Sequence, residues 1–239
     1  MKRKKSPLLF LIAICLLTLA CKKDKAESPP PDPIAVYDFD NDYATNSVSS
    51  VLDGEVEGTM SSTTDSFNTA YGAFLWPGNG YVKVADSDLL DFPGGQFTLA
   101  AWIRPSKTSV AYIFHKGDEV GAGGSYSLHI FPGHLKAFVR TTTDEQFDVE
   151  GTTPIKKNVW QHVAVTLGNG QLTVYYNGEK EGSTEVDRPL GNSDGDLGIG
   201  SYIWAEPGGN FEGKIDNARI YDKALTAGQV KELYKNYKQ

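Results

Sequence analysis

The stretch Gly209-Asn-Phe-Glu-Gly-Lys-Ile-Asp-Asn-Ala-Arg-Ile-Tyr-Asp-Lys-Ala-Leu225 says most about how this chain folds. Asp216 alternates in it with Ala218 and Ile220, and residues two apart in a β-strand share one face. A carboxylate on a face with alanine and isoleucine is expected to be buried. Because a buried carboxylate is costly without a cation or several donors, the pattern predicts a specific partner for Asp216.

Residues 1–20 predict a secretory signal, with four basic residues at positions 2–5, an apolar run over 8–19 and Ala20-Cys21 at its end. The segment resembles a bacterial lipoprotein signal peptide, which implies that Cys21 receives lipid and becomes the mature N-terminus. Thr18 stands three residues before the cysteine, where that pattern usually has leucine. An ordinary signal peptide that contains Cys15 and Cys21 is the alternative.

Residues 21–33 are charged and then proline-rich, which is typical of an extended tether. Residues 34–239 suit one large domain without cysteine. Without the four basic residues of the signal, 19 basic residues face 30 acidic ones, a formal charge of −11. This charge argues against nucleic acid as a partner and against any membrane contact except through a lipid anchor. We expect an outer-membrane lipoprotein of the cell envelope, periplasmic or surface-exposed.

The domain is predicted to be all-β. Residues 97–104, 161–167 and 172–176 alternate with a period of two, and Asn169-Gly170 and Asn177-Gly178 favour tight hairpins. Many short strands with glycine-rich turns indicate a sandwich or a barrel. One short C-terminal helix is expected, because Thr226 and Gln229 have the spacing of a capping box and Val230, Leu233, Tyr234 and Tyr237 follow on one face.

Several segments resemble strands of laminin-G-like, concanavalin A-like domains, in that family's order. They are residues 36–40 (VYDFD), 80–84 (GYVKV), 97–105 (FTLAAWIRP), 159–165 (VWQHVAV), 172–178 (LTVYYNG), 197–201 (LGIGS) and the stretch that ends at Leu225. The resemblance implies an antiparallel jelly-roll β-sandwich. That fold hosts sugar-binding modules, glycoside hydrolases and adhesion domains, so it does not decide the function.

The resemblance also implies a structural calcium ion held by Asp40 and Asp216. Calcium prefers carboxylate and carbonyl oxygens, which Asp38, Asn41 and Asp42 could supplement. The alternative is that Asp216 pairs with an arginine or caps a turn.

Residues 146–150 (QFDVE) are similar to the Glu-x-Asp-x-Glu strand of laminarinase-type glycoside hydrolases. In those enzymes the first glutamate is the nucleophile and the last is the acid/base. Gln146 stands at the nucleophile position, and its amide cannot form the glycosyl ester. We therefore predict no catalytic residues, and a hydrolase is the alternative function.

A sugar-binding surface is the preferred interpretation. Trp204 lies with Tyr202 and Asn210 in a loop rich in glycine and proline, which the resemblance places at the rim of the concave sheet. A second glycine-rich loop, which contains Asp118 and follows His115, is expected to flank the same rim. The predicted partner is a polysaccharide or glycoconjugate, bound without turnover. A protein-binding adhesion or envelope module is a further alternative.

Overall fold

The computed structural model describes residues 27–40, 43–117, 126–203 and 209–236. The strands, in chain order, are β1 (Ala35–Tyr37), β2 (Gly54–Gly58), β3 (Ser61–Thr63), β4 (Ala73–Pro77), β5 (Gly80–Val84), β6 (Phe97–Pro105), β7 (Ala111–Lys116), β8 (Tyr126–Ile130), β9 (His134–Arg140), β10 (Gln146–Pro154), β11 (Gln161–Gly168), β12 (Gln171–Tyr176), β13 (Glu179–Glu185), β14 (Leu197–Ile199) and β15 (Glu212–Tyr221). One helix, α1 (Ala227–Lys235), follows them. No helix among these residues is long and apolar enough to cross a membrane.

The strands form two antiparallel sheets, as predicted for a jelly-roll sandwich. Sheet 1 has the order β13-β12-β11-β6-β15-β4-β3, and β1 also pairs with β15. Sheet 2 has the order β10-β9-β8-β7-β14-β5-β2. Asn169 and Asn177 have positive φ angles of 51° and 48°, and each precedes a glycine that also has positive φ. This backbone geometry suits the tight turns that join β11 to β12 and β12 to β13.

The inner faces of the two sheets form the main hydrophobic core. Its largest fully buried side chains include Trp76, Phe74 and Phe97. The ring of Trp76 meets the ring of Phe39 edge-on at 5.2 Å between centroids and that of Phe211 at 6.5 Å. The segment after β1, strand β4 and the segment before β15 are therefore joined through one aromatic group.

The C-terminal helix covers the outer face of sheet 1. Its capping box is present, with the Gln229 amide N–H donating to the Thr226 hydroxyl at 3.2 Å and the Thr226 amide donating to the Gln229 side chain at 3.0 Å. Val230 and Leu233 pack in a second hydrophobic cluster with residues of sheet 1. Trp102 stacks on Tyr234 with ring centroids 5.6 Å apart, which gives this tryptophan a structural role.

The second half of the predicted tether packs against the helix. The Gln229 side-chain amide donates to the Pro29 carbonyl at 3.2 Å, and the Thr226 hydroxyl donates to the Glu27 carboxylate. The Ile34 amide then donates to the Ile220 carbonyl at 2.8 Å. Residues 27–33 are thus held along α1 before the chain enters β1.

A buried lysine joins three segments at one end of sheet 2. The Lys116 side chain is fully buried, and its Nζ donates to the carbonyls of Ser193 at 2.6 Å and Gly195 at 2.8 Å. The same atom lies 2.5 Å from an Asp86 oxygen and 3.5 Å from an Asp91 oxygen. Burial raises the pKa of the Asp91 carboxyl, and Lys116 opposes that rise. The ammonium group therefore neutralises two carboxylates where these segments meet.

Candidate functional site

The outer face of sheet 2 is a surface that no helix covers in the described part of the chain. Strand register places Tyr112 of β7 beside His129 of β8, and His129 beside Lys136 of β9. On the next pair of strands, Phe138 of β9 lies beside Asp148 of β10. Since side chains alternate between faces, these five point away from the core residues that flank them. Aromatic and polar side chains therefore share one solvent-facing surface.

Five rings form what we call the aromatic cluster: Tyr112, His115, His129, Phe138 and Tyr202. Tyr112 is stacked on His129 at 4.8 Å and on Tyr202 at 5.3 Å between ring centroids. The His115 ring meets Tyr202 edge-on at 4.1 Å and Phe138 at 6.1 Å. The cluster thus gives the middle of sheet 2 a continuous, largely apolar floor.

Two glycines bring Tyr202 onto this floor. A Cβ atom on Gly198 would lie 2.7 Å from the Ser201 carbonyl oxygen and 2.8 Å from an Ile203 methyl group, so only glycine lets the chain fold back over β14. Gly209 adopts a φ of 124°, and its carbonyl accepts a hydrogen bond from the Tyr112 amide at 2.8 Å. Tyr202 and Gly209, on either side of residues 204–208, therefore both lie against Tyr112.

A polar fringe of Lys136, Gln146 and Asp148 borders the cluster. Lys136 Nζ lies 3.1 Å from an Asp148 oxygen, and the Gln146 side-chain amide donates to both Asp148 oxygens at 3.0 and 3.1 Å. Lys136 Nζ also lies 5.2 Å from the centre of the Phe131 ring, and the Phe131 side chain is 42% exposed. The cluster, the fringe and Phe131 line an open cavity of about 310 Å³.

The His129 ring in the floor of this cavity is uncharged at neutral pH. Burial lowers the pKa of His129 to about 4, with a further lowering from Lys136 that Asp148 opposes. The Nδ1 atom of His129 lies 2.8 Å from the Ser127 hydroxyl oxygen, which fixes the ring. Burial also raises the pKa of Tyr112. The cavity therefore offers ring faces, among them a neutral His129, beside a fringe that carries both signs of charge.

The structure brings together only some of the sugar-binding residues predicted from the sequence. Tyr202 and His115 lie in contact within the aromatic cluster. Asn210 accepts a hydrogen bond from the Ser201 hydroxyl at 2.5 Å and donates to the Gly78 carbonyl at 3.0 Å, so its side chain links the segment after strand β14 to the turn between β4 and β5. Trp204 and Asp118 lie outside the described residues. Five residues of the cavity were not predicted from the sequence, although His129 and Phe138 stand at outward positions of β8 and β9; the five are Tyr112, His129, Phe131, Lys136 and Phe138.

The predicted face of Asp216 is wrong. Asp216 is fully buried, but it lies opposite Trp102 on the helix-covered side of sheet 1, whereas Ala218 and Ile220 belong to the main core. A bulge between Asp216 and Arg219 causes the difference, since Asn217 has a φ of 48° and adds a residue to the strand. The alternation read from the sequence is interrupted at that residue.

The oxygen donors near the bulge are of the kind that calcium binds. The Asn217 side-chain amide donates to an Asp38 oxygen at 2.8 Å, which places the end of β1 beside the bulge that carries Asp216. Asp40 is exposed. Among the described residues, no three or more His, Cys, Asp or Glu side chains form a group that could hold a metal; Asn41 and Asp42 are outside them. Calcium at Asp40 and Asp216 stays a prediction.

The two antiparallel sheets define a jelly-roll β-sandwich, and an open cavity lies on one of its outer faces. A family model for the concanavalin A-like lectin/glucanases superfamily matches residues 76–231, and the chain belongs to that family. The match spans β4 to the middle of α1, which confirms the resemblance seen in the strand segments. No curated protein sequence matches the chain.

Solved structures similar to this chain share its fold. Domain 4 of AbnA, a GH43 extracellular arabinanase from Geobacillus stearothermophilus, solved in complex with arabinotriose, is 21% identical with a TM-score of 0.64; the match covers 84% of this chain and 97% of that domain. The binding domain of botulinum neurotoxin DC, solved in complex with SialylT, is 16% identical with a TM-score of 0.63. The match covers 85% of this chain and 51% of the toxin chain. The binding domain of Paraclostridial Mosquitocidal Protein 1 is 16% identical with a TM-score of 0.66, over 86% and 52%. The chain spans about half the length of these two toxin domains.

Proposed function

We propose that this domain binds glycans, without cleaving them, on the outer face of sheet 2. The observation that carries the proposal is the aromatic cluster beside the polar fringe. Ring faces stack on the apolar faces of sugars, and side chains that both donate and accept hydrogen bonds can satisfy sugar hydroxyls. Because the helix covers part of the outer face of sheet 1, the outer face of sheet 2 is the more open of the two surfaces to a ligand.

The similar structures support the same class of ligand. The arabinanase domain that matches over nearly its whole length was solved with arabinotriose, and another similar structure is described by the interaction of botulinum neurotoxin type C with two ganglioside molecules. Two different glycans on one fold make a glycan the preferred ligand class for this chain. The identity of the sugar is a property of side chains that these proteins need not share.

The proposal is tested by binding and turnover assays on the same purified domain. Stacking of a few rings on a sugar buries little area, so we expect dissociation constants of about 1 μM to about 1 mM for polysaccharides on a glycan panel. A reducing-sugar assay should detect no release. Release that disappears in a Glu150→Gln variant would establish a hydrolase, and a protein captured from envelope extracts with no glycan bound would favour an adhesion module.

The chain is further proposed to be a lipoprotein of the cell envelope, anchored through Cys21. Cys21 and Glu27 are six residues apart, so an extended chain spans at most about 22 Å between them. Glu27 meets α1 on the outer side of sheet 1, and the aromatic cluster lies on the opposite side of the sandwich. A lipid on Cys21 would hold the helix side towards the membrane and leave the cluster accessible from the other side.

Replacing the anchor cysteine should release the protein. We expect Cys21→Ser to abolish labelling with a fatty-acid analogue and to move the protein from the membrane fraction to the soluble fraction, because no lipid can attach. Cys15→Ser is the matched control, since that residue lies inside the signal and should change neither result. A Cys21→Ser protein that is still labelled would contradict the anchor.

Calcium is proposed as a stabilising ligand of the segment around Asp216. A ligand present at about 100 times its dissociation constant stabilises the native state by about 2.7 kcal/mol, which corresponds to about 5–10 °C for a domain of this size. We expect that shift when calcium is added to chelator-treated protein, and its loss in Asp216→Asn. Asp222→Asn, just beyond the same strand, should keep it. An identical calcium response in Asp216→Asn would exclude this site.

A further inference from the structure

The charged groups around the aromatic cluster narrow the class of glycan. Three cationic side chains lie on the outer face of sheet 2, and each has a carboxylate partner. Lys136 pairs with Asp148 at 3.1 Å, and Arg140 pairs with Asp144 at 2.8 Å. Lys83, on β5, lies 3.3 Å from each of its two partners, Glu55 and Glu57. Among the described residues of this face, each of these three cations is therefore already paired with a carboxylate.

The carboxylates outnumber the cations. The three cations have four carboxylate partners, and Glu150 adds a fifth carboxylate 3.6 Å from His134. The face therefore carries a net negative charge, within a chain whose formal charge is −7. An anionic sugar would have to displace Asp148 from Lys136 or accept like charges nearby, and like-charge contacts across an interface are unfavourable.

The same fringe suits neutral hydroxyl groups. The Lys136 ammonium can donate to a hydroxyl oxygen while Asp148 accepts from a neighbouring hydroxyl, and the Gln146 amide can do both. A neutral sugar thus uses the fringe without breaking the ion pair, and its apolar face lies over the rings of the aromatic cluster. A carboxylated, sulfated or sialylated sugar would have to compete with a carboxylate for each of the three cations.

We infer that the cavity on sheet 2 selects neutral glycans over anionic ones. This inference rests on the proposed function and names the ligand class of the same site. Asp148 is assigned the main part in selection, because it neutralises Lys136 and supplies the negative charge closest to the cluster. Arg140, bonded to Gln146 at 3.2 Å as well as to Asp144, holds the amide in place beside it.

Matched pairs of polysaccharides test the inference by titration calorimetry. Suitable pairs share a backbone and differ in charge: dextran and dextran sulfate, cellulose oligomers and carboxymethyl cellulose, laminarin and sulfated laminarin. For whichever backbone binds, we expect the neutral member to bind at least tenfold more tightly, which is about 1.4 kcal/mol. Its affinity should change little between low and high sodium chloride, because no ion pair forms on binding.

The Asp148→Asn variant separates charge selection from general weakening. It keeps an oxygen acceptor but releases Lys136, so the anionic member should gain affinity several-fold and the neutral member should not. Asp222→Asn, which removes an exposed carboxylate partner of Lys223 just beyond β15 of sheet 1, is the matched control and should leave the ratio unchanged. Tighter binding of the anionic member by the wild-type protein would overturn the inference and leave glycan binding standing. Absence of binding to every pair would overturn both.

Discussion

The Lys116→Met variant is expected to lose about 3 kcal/mol of its free energy of unfolding, or about 6–12 °C in melting temperature. Methionine keeps the volume but removes the charge, which leaves the Asp86 and Asp91 carboxylates and the Ser193 and Gly195 carbonyls without their shared donor. Removing one partner of a buried ion pair costs about 3–5 kcal/mol, and the lower end applies because Asp86 is partly exposed.

The loss should depend on pH. Burial raises the pKa of Asp91 and Lys116 opposes the rise, so removal of the lysine should raise that pKa further. An acid whose folded-state pKa is raised destabilises the protein as the pH rises through the interval between its unfolded and folded values. The deficit of Lys116→Met should therefore shrink as the pH is lowered. Chemical unfolding at several pH values measures both effects.

Lys83→Met is the matched control. Lys83 also has two carboxylate partners, each at 3.3 Å, but it lies on the surface of sheet 2. Exposed ion pairs contribute little, so this variant should unfold close to the wild type. Equal stability of the two variants would show that the buried ammonium does not hold the three segments together.

Replacing Tyr202 by alanine should weaken glycan binding by about 2 kcal/mol, or about 30-fold in the dissociation constant. Tyr202 contacts Tyr112 and His115, so its loss opens the middle of the aromatic cluster and removes a stacking surface. The Tyr202→Phe variant keeps the ring and should retain most of the affinity. The melting temperature should fall little, since Tyr202 is partly exposed outside the main core.

Tyr71→Ala is the control for a nonspecific effect of losing an exposed aromatic ring. Tyr71 is 60% exposed in the segment before β4 of sheet 1, and its removal should leave affinity unchanged. Unchanged affinity in Tyr202→Ala, with Trp204→Ala abolishing binding, would move the contact to the loop. That result would agree with the prediction of Trp204 from the sequence, but not with that of Tyr202.

The sequence was sufficient to predict the fold. Alternating apolar residues fix the faces of long strands such as β6 and β11, and Asn-Gly pairs mark the turns on either side of β12 because few other residues adopt positive φ. The capping box at Thr226 is a local signal and was predicted for the same reason. These features depend on residues close together in the chain, so no tertiary information is needed.

The candidate site could be predicted only in part. Tyr202 and His115 were identified from their loops, but their contact depends on the fold-back over Gly198 and on strands β7 and β14 being neighbours. Tyr112, His129 and Phe138 come together through the register of β7, β8 and β9, which sequence alternation does not specify. The face of Asp216 was predicted wrongly for a different reason. The bulge at Asn217 adds one residue to the strand, which places Asp216 on the face opposite to Ala218 and Ile220.

Glycan binding to the outer face of sheet 2 is tested most directly by an NMR titration of the isotopically labelled domain with the tightest-binding neutral glycan. We expect the largest shifts at backbone amides of Tyr112, His129, Lys136, Gln146 and Tyr202, with those of α1 unchanged. Shifts that instead fall on α1 and residues 27–33, or the absence of any shift at millimolar glycan, would contradict the proposed site.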